Sequence, residues 1–263
     1  MPLNEPLNQE EINESLKNGY WRVNVCKETG STQSDLSVEI RAGLSRHGEV
    51  RATEFQSAGR GRLDRKFATP PNSALLFSLF ILPKRAEGSW GWLPLLAGEA
   101  VVAALDSILP EAARSGLSLK WPNDVLLNGK KLAGILSERI DSQSGPGVII
   151  GIGINVHATR EELGFANATS MEIEGFVGVD RGGLLVSILE KIATILERWE
   201  VGDSDIVEGY MARSSTVGSK VRIETPAGEI IQALAVGIKA SGALVLDNGD
   251  QITVGDVVHL HLE

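Results

Sequence analysis

Apolar positions along this chain recur with two periods. Residues 21–25 alternate like a strand, and Glu28-Thr29-Gly30-Ser31-Thr32 reads as the turn that follows it. Leu36, Ile40 and Leu44 then recur every four residues, which predicts a helix capped by Ser31, Thr32 or Ser34 and ended by Gly48. Residues 50–56 and 72–82 are strand-like, the second closed by Pro83. An Ala/Leu/Val-rich helix is predicted over 93–109, between Pro94 and Pro110, and a strand over 117–121. Residues 125–127 and 131–136 flank Asn128-Gly129, the strongest short hairpin signal. Residues 148–156 read as a buried strand. Over 184–199 the apolar residues Leu185, Ile188, Leu189, Ile192, Ile195, Leu196 and Trp199 share one face of an amphipathic helix. From about Val217 the pattern changes to short strands at 220–224, 230–238, 244–247, 251–254 and 257–262, separated by Gly-bearing turns. That pattern predicts a small all-β barrel behind an α+β main domain. The first 20 residues are polar and rich in Asn and Glu, and are expected to be frayed or loosely docked.

A chain of 263 residues with 43% hydrophobic content suits one large domain, or a large one with a small appendage. The opening Met1-Pro2-Leu3-Asn4-Glu5 has no basic or apolar leader pattern. No apolar run approaches the roughly 18 residues of a membrane span; the densest, 75–82, is interrupted by Ser78. The one cysteine, Cys26, is expected to be a buried small hydrophobe, and a lone thiol suits a reducing cytoplasm. Lys and Arg total 25 against 34 Asp and Glu, a net charge of −9, which argues against a partner such as duplex DNA. The four histidines are scattered, and no Cys/His group has zinc-ligand spacing. What remains is an acidic enzyme or binding protein.

Against that acidic background residues 59–66 stand out: Arg60, Arg62, Arg65 and Lys66 face only Asp64. Gly59 and Gly61 let the backbone approach a ligand or take positive φ, and arginine forks match carboxylates and phosphates. A solvated basic loop fits the same spacing, and the pattern is not that of a P-loop. The second candidate is Lys120-Trp121-Pro122-Asn123-Asp124 with Lys130-Lys131-Leu132-Ala133-Gly134. Strand alternation there puts Lys131 on one face with Ala133 and Ile135, and Lys130 on the other with Leu132 and Leu136. Lys131 could therefore reach an anion, or both could be ordinary hairpin lysines; Asp124 could hold a metal or close the turn. In Gly151-Ile152-Gly153-Ile154-Asn155 the glycines suggest that something packs against the strand backbone. Asn155 offers an amide to a ring edge, or simply ends the strand.

Taken together, Ser31-Thr32, Gln56-Ser57-Ala58-Gly59-Arg60-Gly61-Arg62, Lys120-Trp121-Pro122-Asn123-Asp124, Lys131-Leu132-Ala133-Gly134-Ile135-Leu136 and Gly151-Ile152-Gly153-Ile154-Asn155 resemble the biotin protein ligases in order and spacing. The resemblance runs from about residue 21 to the C-terminus. It implies an α+β fold, a mixed sheet flanked by helices related to class II aminoacyl-tRNA synthetase cores, over 1–213, and an SH3-like barrel over 214–263. It also implies a two-step reaction: biotin and ATP give biotinyl-5′-AMP and pyrophosphate, and the adenylate then acylates a lysine of a biotin carboxyl carrier domain. By the same resemblance Ser31, Thr32, Gln33 and Gln56 meet biotin's ureido end, with Gly59, Gly61 and Gly134 close by. Arg60, Arg62 and Lys131 hold the carboxylate and α-phosphate, with Arg62 and Lys131 catalytic. Arg65, Phe67, Asn155 and Asp124 serve the nucleotide, Asp124 with its Mg2+. Positioned cations that lower the repulsion between two anions suit this chemistry, and no protein nucleophile is needed.

Three positions depart from the family pattern: Asp64 stands where glycine is usual, Phe67 where tryptophan is common, and Gln33 where asparagine is common. Only about 30 residues precede Ser31, so the resemblance is to the short form without an N-terminal DNA-binding domain. The expected partners are biotin, ATP and a carrier domain, with no nucleic acid and no membrane, in a monomer or homodimer. A lipoate or octanoate ligase or transferase on the related fold and a non-catalytic biotin or nucleotide sensor are the alternatives.

Overall fold

The computed structural model describes residues 5–16, 19–62, 65, 67–225 and 228–260. Seven strands form the main sheet: β1 (Arg22–Cys26), β2 (Glu49–Thr53), β3 (Ala74–Ile81), β4 (Leu117–Lys120), β5 (Asp124–Leu127), β6 (Lys130–Ser142) and β7 (Gly145–Asn155). Their order is β1-β2-β3-β7-β6-β5-β4, with β1 and β2 parallel and the other neighbours antiparallel. Asn128 and Gly129 take φ of 51° and 74°, the left-handed pair that a two-residue hairpin turn requires.

The two faces of this sheet have different coverings. On one, Leu75, Phe77, Leu79 and Ile81 of β3 join Val148, Ile150, Ile152 and Ile154 of β7 in the main core. That core includes Leu93, Leu96, Ala100 and Leu105 of one helix (Leu93–Ile108) and Leu185, Ile188, Leu189 and Ile192 of another (Arg181–Glu200). On the opposite face a helix at Thr32–Arg41 packs Leu36 and Ile40 against Phe80, Ile140 and Ile149, covering only one end of the strands. The other end is left open.

Several expectations needed correction. The N-terminal segment is docked: residues Gln9–Ser15 form a helix, and Leu7, Ile12 and Leu16 are buried in the core. Its polar residues have a structural use. Asn13 donates to Val23 O (2.8 Å) and accepts from Val23 N (3.0 Å), and Gln9 accepts from Val25 N (2.9 Å), which satisfies the open edge of β1. The Thr32–Arg41 helix ends well before Gly48, because Gly43 turns the chain at φ 72°, so Leu44 is exposed. Cys26 lies on the edge strand and is exposed, not buried. Residues Glu87–Ile108 have the length and hydropathy of a bilayer span, but most of the segment is buried, as befits a core helix.

The C-terminal strands β8 (Lys220–Glu224), β9 (Ile230–Ile238), β10 (Leu244–Leu246), β11 (Gln251–Ile252) and β12 (Asp256–His259) form a separate antiparallel sheet of the SH3-like kind, in the order β11-β10-β9-β8-β12. Two indoles anchor it to the main domain: Trp92 Nε1 donates to Lys239 O (2.9 Å) and Trp121 Nε1 to Gly242 O (3.0 Å). Between them the backbones touch, since a Cβ on Gly91 would lie 2.1 Å from Ser241 O.

Candidate active site

The uncovered half of the second sheet face carries small residues in register. Ser78 pairs with Gly151 and Gly151 with Leu136; Leu76 pairs with Gly153 and Gly153 with Gly134. Missing side chains at three of these positions leave a floor onto which other groups settle. A Cβ on Gly151 would meet Gln33 Oε1 at 2.4 Å, one on Gly153 the Phe67 ring at 2.8 Å, and one on Gly134 the Lys131 Cε at 3.2 Å. Above this floor opens a cavity of about 560 Å3. Among the described residues Arg60, Arg62, Arg65, Lys120 and Lys131 line it, against the single carboxylate of Asp124. An acidic chain has thus placed five of its 25 Lys and Arg at one concavity, a local positive field suited to anions.

At one wall stands the N-terminus of the Thr32–Arg41 helix. Ser31, formally its cap, makes no side-chain capping bond. Gln56 caps the helix instead, its Oε1 accepting from Thr32 N (2.9 Å), with Thr32 Oγ1 3.1 Å away. Thr32 Oγ1 in turn lies 2.7 Å from Ser78 Oγ. Ser31, Thr32, Gln33, Gln56 and Ser78 all line the cavity, so a cluster of hydroxyls and amides faces its inner end.

The Arg/Gly segment is closed at its neck by Phe67 N donating to Gly59 O (3.0 Å) and Gly61 N donating to Arg65 O (2.7 Å). Neither Gly59 nor Gly61 takes positive φ; Gly59 makes room for the returning chain, with Phe67 O 2.2 Å from where a Cβ would sit. Gly59 is the one predicted site residue that does not line the cavity. Arg60 forks onto Glu138 (Nη2–Oε1 2.7 Å, Nη1–Oε2 3.1 Å). Arg62 reaches Asn123 Oδ1 (3.3 Å) and Gly255 O of the C-terminal sheet (3.5 Å). Asp64 and Lys66 lie outside the described residues.

Lys131 corrects the simple alternation. The β5–β6 register slips between Val125 and Leu126: Leu126 pairs with Lys131 but Val125 with Ala133, so β6 carries an extra residue. This bulge turns Lys131 away from Ala133 and Ile135, which stay in the core, and lays it over Gly134 on the cavity face. Its Nζ approaches Asp124 Oδ1 to 2.5 Å as a close ion pair, without the angles of a hydrogen bond. The backbone of Lys131 is clamped by the segment that follows β7, through Lys131 N to Asn167 O (2.7 Å) and Thr169 N to Lys131 O (2.9 Å). Asn155 ties down the same segment by donating to Thr169 O (3.0 Å); an amide has further polar capacity, and the side chain lines the cavity. Among the described residues no group of three or more His, Cys, Asp or Glu is placed to hold a metal ion.

Comparison with known proteins bears on what such a cavity does. Residues 25–155 match the model of the biotin/lipoate A/B protein ligase family, and residues 216–260 match the biotin protein ligase C-terminal domain. The chain is 36% identical to the biotin–[acetyl-CoA-carboxylase] ligase of Mycobacterium tuberculosis, over 98% of this chain and 97% of that protein. The chain belongs to the biotin protein ligase family. It is also 30% identical to the bifunctional ligase/repressor BirA of Bacillus subtilis, of which it covers 68%. The biotin protein ligase from Aquifex aeolicus, solved with biotin and ATP, superposes with a TM-score of 0.73 at 28% identity, over 91% of this chain and 99% of that one.

For a biotin protein ligase, three cavity features escaped the sequence reading. Ser78 was visible only as a break in an apolar run; its register opposite Gly151 makes it part of the floor. Asn123 supports Arg62 while donating to Ile135 O (2.8 Å), and nothing in its turn sequence signals that second bond. Val257 and Val258 come from β12, so the C-terminal sheet forms part of the wall.

Proposed function

We propose that this chain is an ATP-dependent biotin protein ligase that activates biotin as biotinyl-5′-AMP and transfers it to a lysine of a carboxylase's biotin carrier domain. The observation that carries the reading is the meeting, in one cavity, of the Ser31/Thr32/Gln56 polar cluster with Arg60, Arg62 and Lys131. A polar ring group bound at the first would present its carboxylate to the second.

In the first step a carboxylate oxygen of biotin attacks the α-phosphorus of ATP. The bond to the bridging oxygen breaks, and that electron pair leaves with pyrophosphate. Arg60, Arg62 and Lys131 offset the charge of the two approaching anions and of the crowded phosphorus. Arg65 and Phe67 serve the nucleotide, with Asn155 at the adenine. Mg2+ enters with ATP as substrate, and Asp124 is the carboxylate suited to face it, since one or two carboxylates are enough for a phosphate-bound magnesium. In the second step a carrier lysine amine attacks the acyl carbon, the bond to AMP breaks, and the lysine's proton is lost. We assign the reaction to the cytoplasm, where a lone thiol stays reduced, and assign no nucleic-acid partner to a chain of net charge −9.

The test is to incubate the protein with biotin and Mg·ATP, look for biotinyl-5′-AMP by mass spectrometry, and run lipoate in parallel. Adenylate from biotin alone, chased onto a carrier domain, is expected. Adenylate from lipoate alone would transfer the site to the linear acids, and biotin binding with no pyrophosphate release would make the protein a sensor.

A further inference from the structure

Glu138 of β6 sits outside the cavity lining, yet it touches both ends of the site. One side is the forked pair with Arg60, described above. On the other, Gln33 Nε2 donates to Glu138 Oε2 at 3.1 Å, with Ile149 O a more distant second acceptor at 3.5 Å. A carboxylate can only accept, so its presence dictates which way the Gln33 amide faces: nitrogen toward Glu138, oxygen toward the cavity floor. Gln33 Oε1 there accepts from Ser78 Oγ at 3.4 Å, which leaves Ser78 Oγ to accept from Thr32 Oγ1 at 2.7 Å, and the backbone N–H of Thr32 donates to Gln56 Oε1. An unbroken chain therefore runs from the Arg60 guanidinium at the anion end to the Gln56 amide at the polar end, with Glu138 joining Arg60 to Gln33.

We propose that Glu138 is a positioning residue that sets both ends of the biotin site at once, aiming Arg60 and fixing the orientation of the Gln33 amide. This rests on the ligase reading above. Arg60 is about half exposed, and an unanchored arginine of that length would lose side-chain entropy each time it closed on a carboxylate; the Glu138 fork keeps it near its working place. Gln33 is buried, and a flipped amide would present N–H to Ser78 in place of an acceptor. The hydroxyls of Ser78 and Thr32 would then have to reorganise before a ligand could bind.

The test compares wild type, Glu138→Ala and Glu138→Gln by calorimetric titration with biotin and with biotinol, the analogue whose carboxylate is replaced by an alcohol. Steady-state pyrophosphate release accompanies each titration. For Glu138→Ala we expect biotin binding weakened about tenfold, the worth of one charge-assisted bond. Biotinol should weaken less than biotin but by more than about twofold, because only the Gln33 arm acts on it. KM for biotin should rise while kcat at saturation stays within about threefold, a split that general misfolding would not produce. Glu138→Gln, which keeps an acceptor but no charge, should fall between wild type and Glu138→Ala, and it decides the matter if the alanine variant does not fold. Unchanged or tighter biotin binding would overturn the proposal, the latter by making Glu138 a competitor for Arg60. Biotinol binding unchanged would overturn the link through Gln33. Wild type that binds no biotin would instead defeat the ligase reading itself.

Discussion

Lys131→Ala separates what the site contributes to folding from what it contributes to chemistry. The Lys131–Asp124 pair is close, at 2.5 Å, but Lys131 is 40% exposed, so solvent screens the attraction. Its loss should cost no more than about 1 kcal/mol, which for a chain of this size is a fall of roughly 2–4 °C in Tm. The backbone bonds to Asn167 and Thr169 do not depend on the side chain, so the clamp on β6 persists. The reaction should suffer far more. One charge-assisted contact is worth about 1.5–3 kcal/mol, which converts to a roughly 10- to 160-fold slower adenylation. Thermal melts paired with pyrophosphate release in single-turnover mode read both quantities. Adenylation within twofold of wild type would remove Lys131 from the chemistry. A Tm loss beyond about 8 °C would show that the pair holds the fold, against the screening argument.

Two further outcomes are expected. Arg181→Ala leaves Glu54 buried without its 2.6 Å partner and also removes donors from Ala74 O and Glu5 O. Breaking such a pair from one side should cost about 3–5 kcal/mol in a urea melt, and a cost below about 1 kcal/mol would refute the estimate. His47 and His157 are both held below the ordinary histidine pKa, first of all by burial, and His47 Nδ1 must stay unprotonated to accept from Leu82 N (3.0 Å). Below the unfolded value of 6.5 the unfolded chain therefore binds more protons than the folded one, and stability falls as pH drops through that value. Melts from about pH 7.5 to about 5.5 should show this loss, reduced in His47→Gln and His157→Gln; a Tm independent of pH there would contradict the assignment.

Where backbone geometry follows from a few adjacent residues, the sequence was readable. Asn128-Gly129 fixed a hairpin, the apolar stripe of the Arg181–Glu200 helix found the core, and the Gly-bearing turns of the C-terminal strands marked their ends. The cluster of Arg60, Arg62 and Lys131 was legible through the resemblance to a family. Features that depend on pairing across the sheet were not. The bulge at Lys131 is a matter of register between β5 and β6, and alternation counted along one strand cannot reveal it. The docking of the first helix was hidden because Asn13 and Gln9, polar by composition, act as edge caps for β1. Cys26 looked apolar by type, but its position at the sheet edge leaves it exposed. Glu138 had no local signal at all, since its partners lie 78 and 105 residues away.

The join between the two sheets bears on how the protein can be dissected. Excising the C-terminal strands would remove Lys239 O and Gly242 O, the acceptors of the Trp92 and Trp121 indole N–H groups, and bare both buried rings to water. Water can replace the lost acceptors, but the apolar surface that Trp92 and Trp121 share with Leu244 and Leu246 would be exposed at about 25 cal/mol per Å2, and the cavity would also lose the Val257 and Val258 wall and the Gly255 prop beneath Arg62. A truncated chain would therefore be crippled in stability and in site geometry together. For this molecule, lost activity after truncation is no measure of what the appendage recognises.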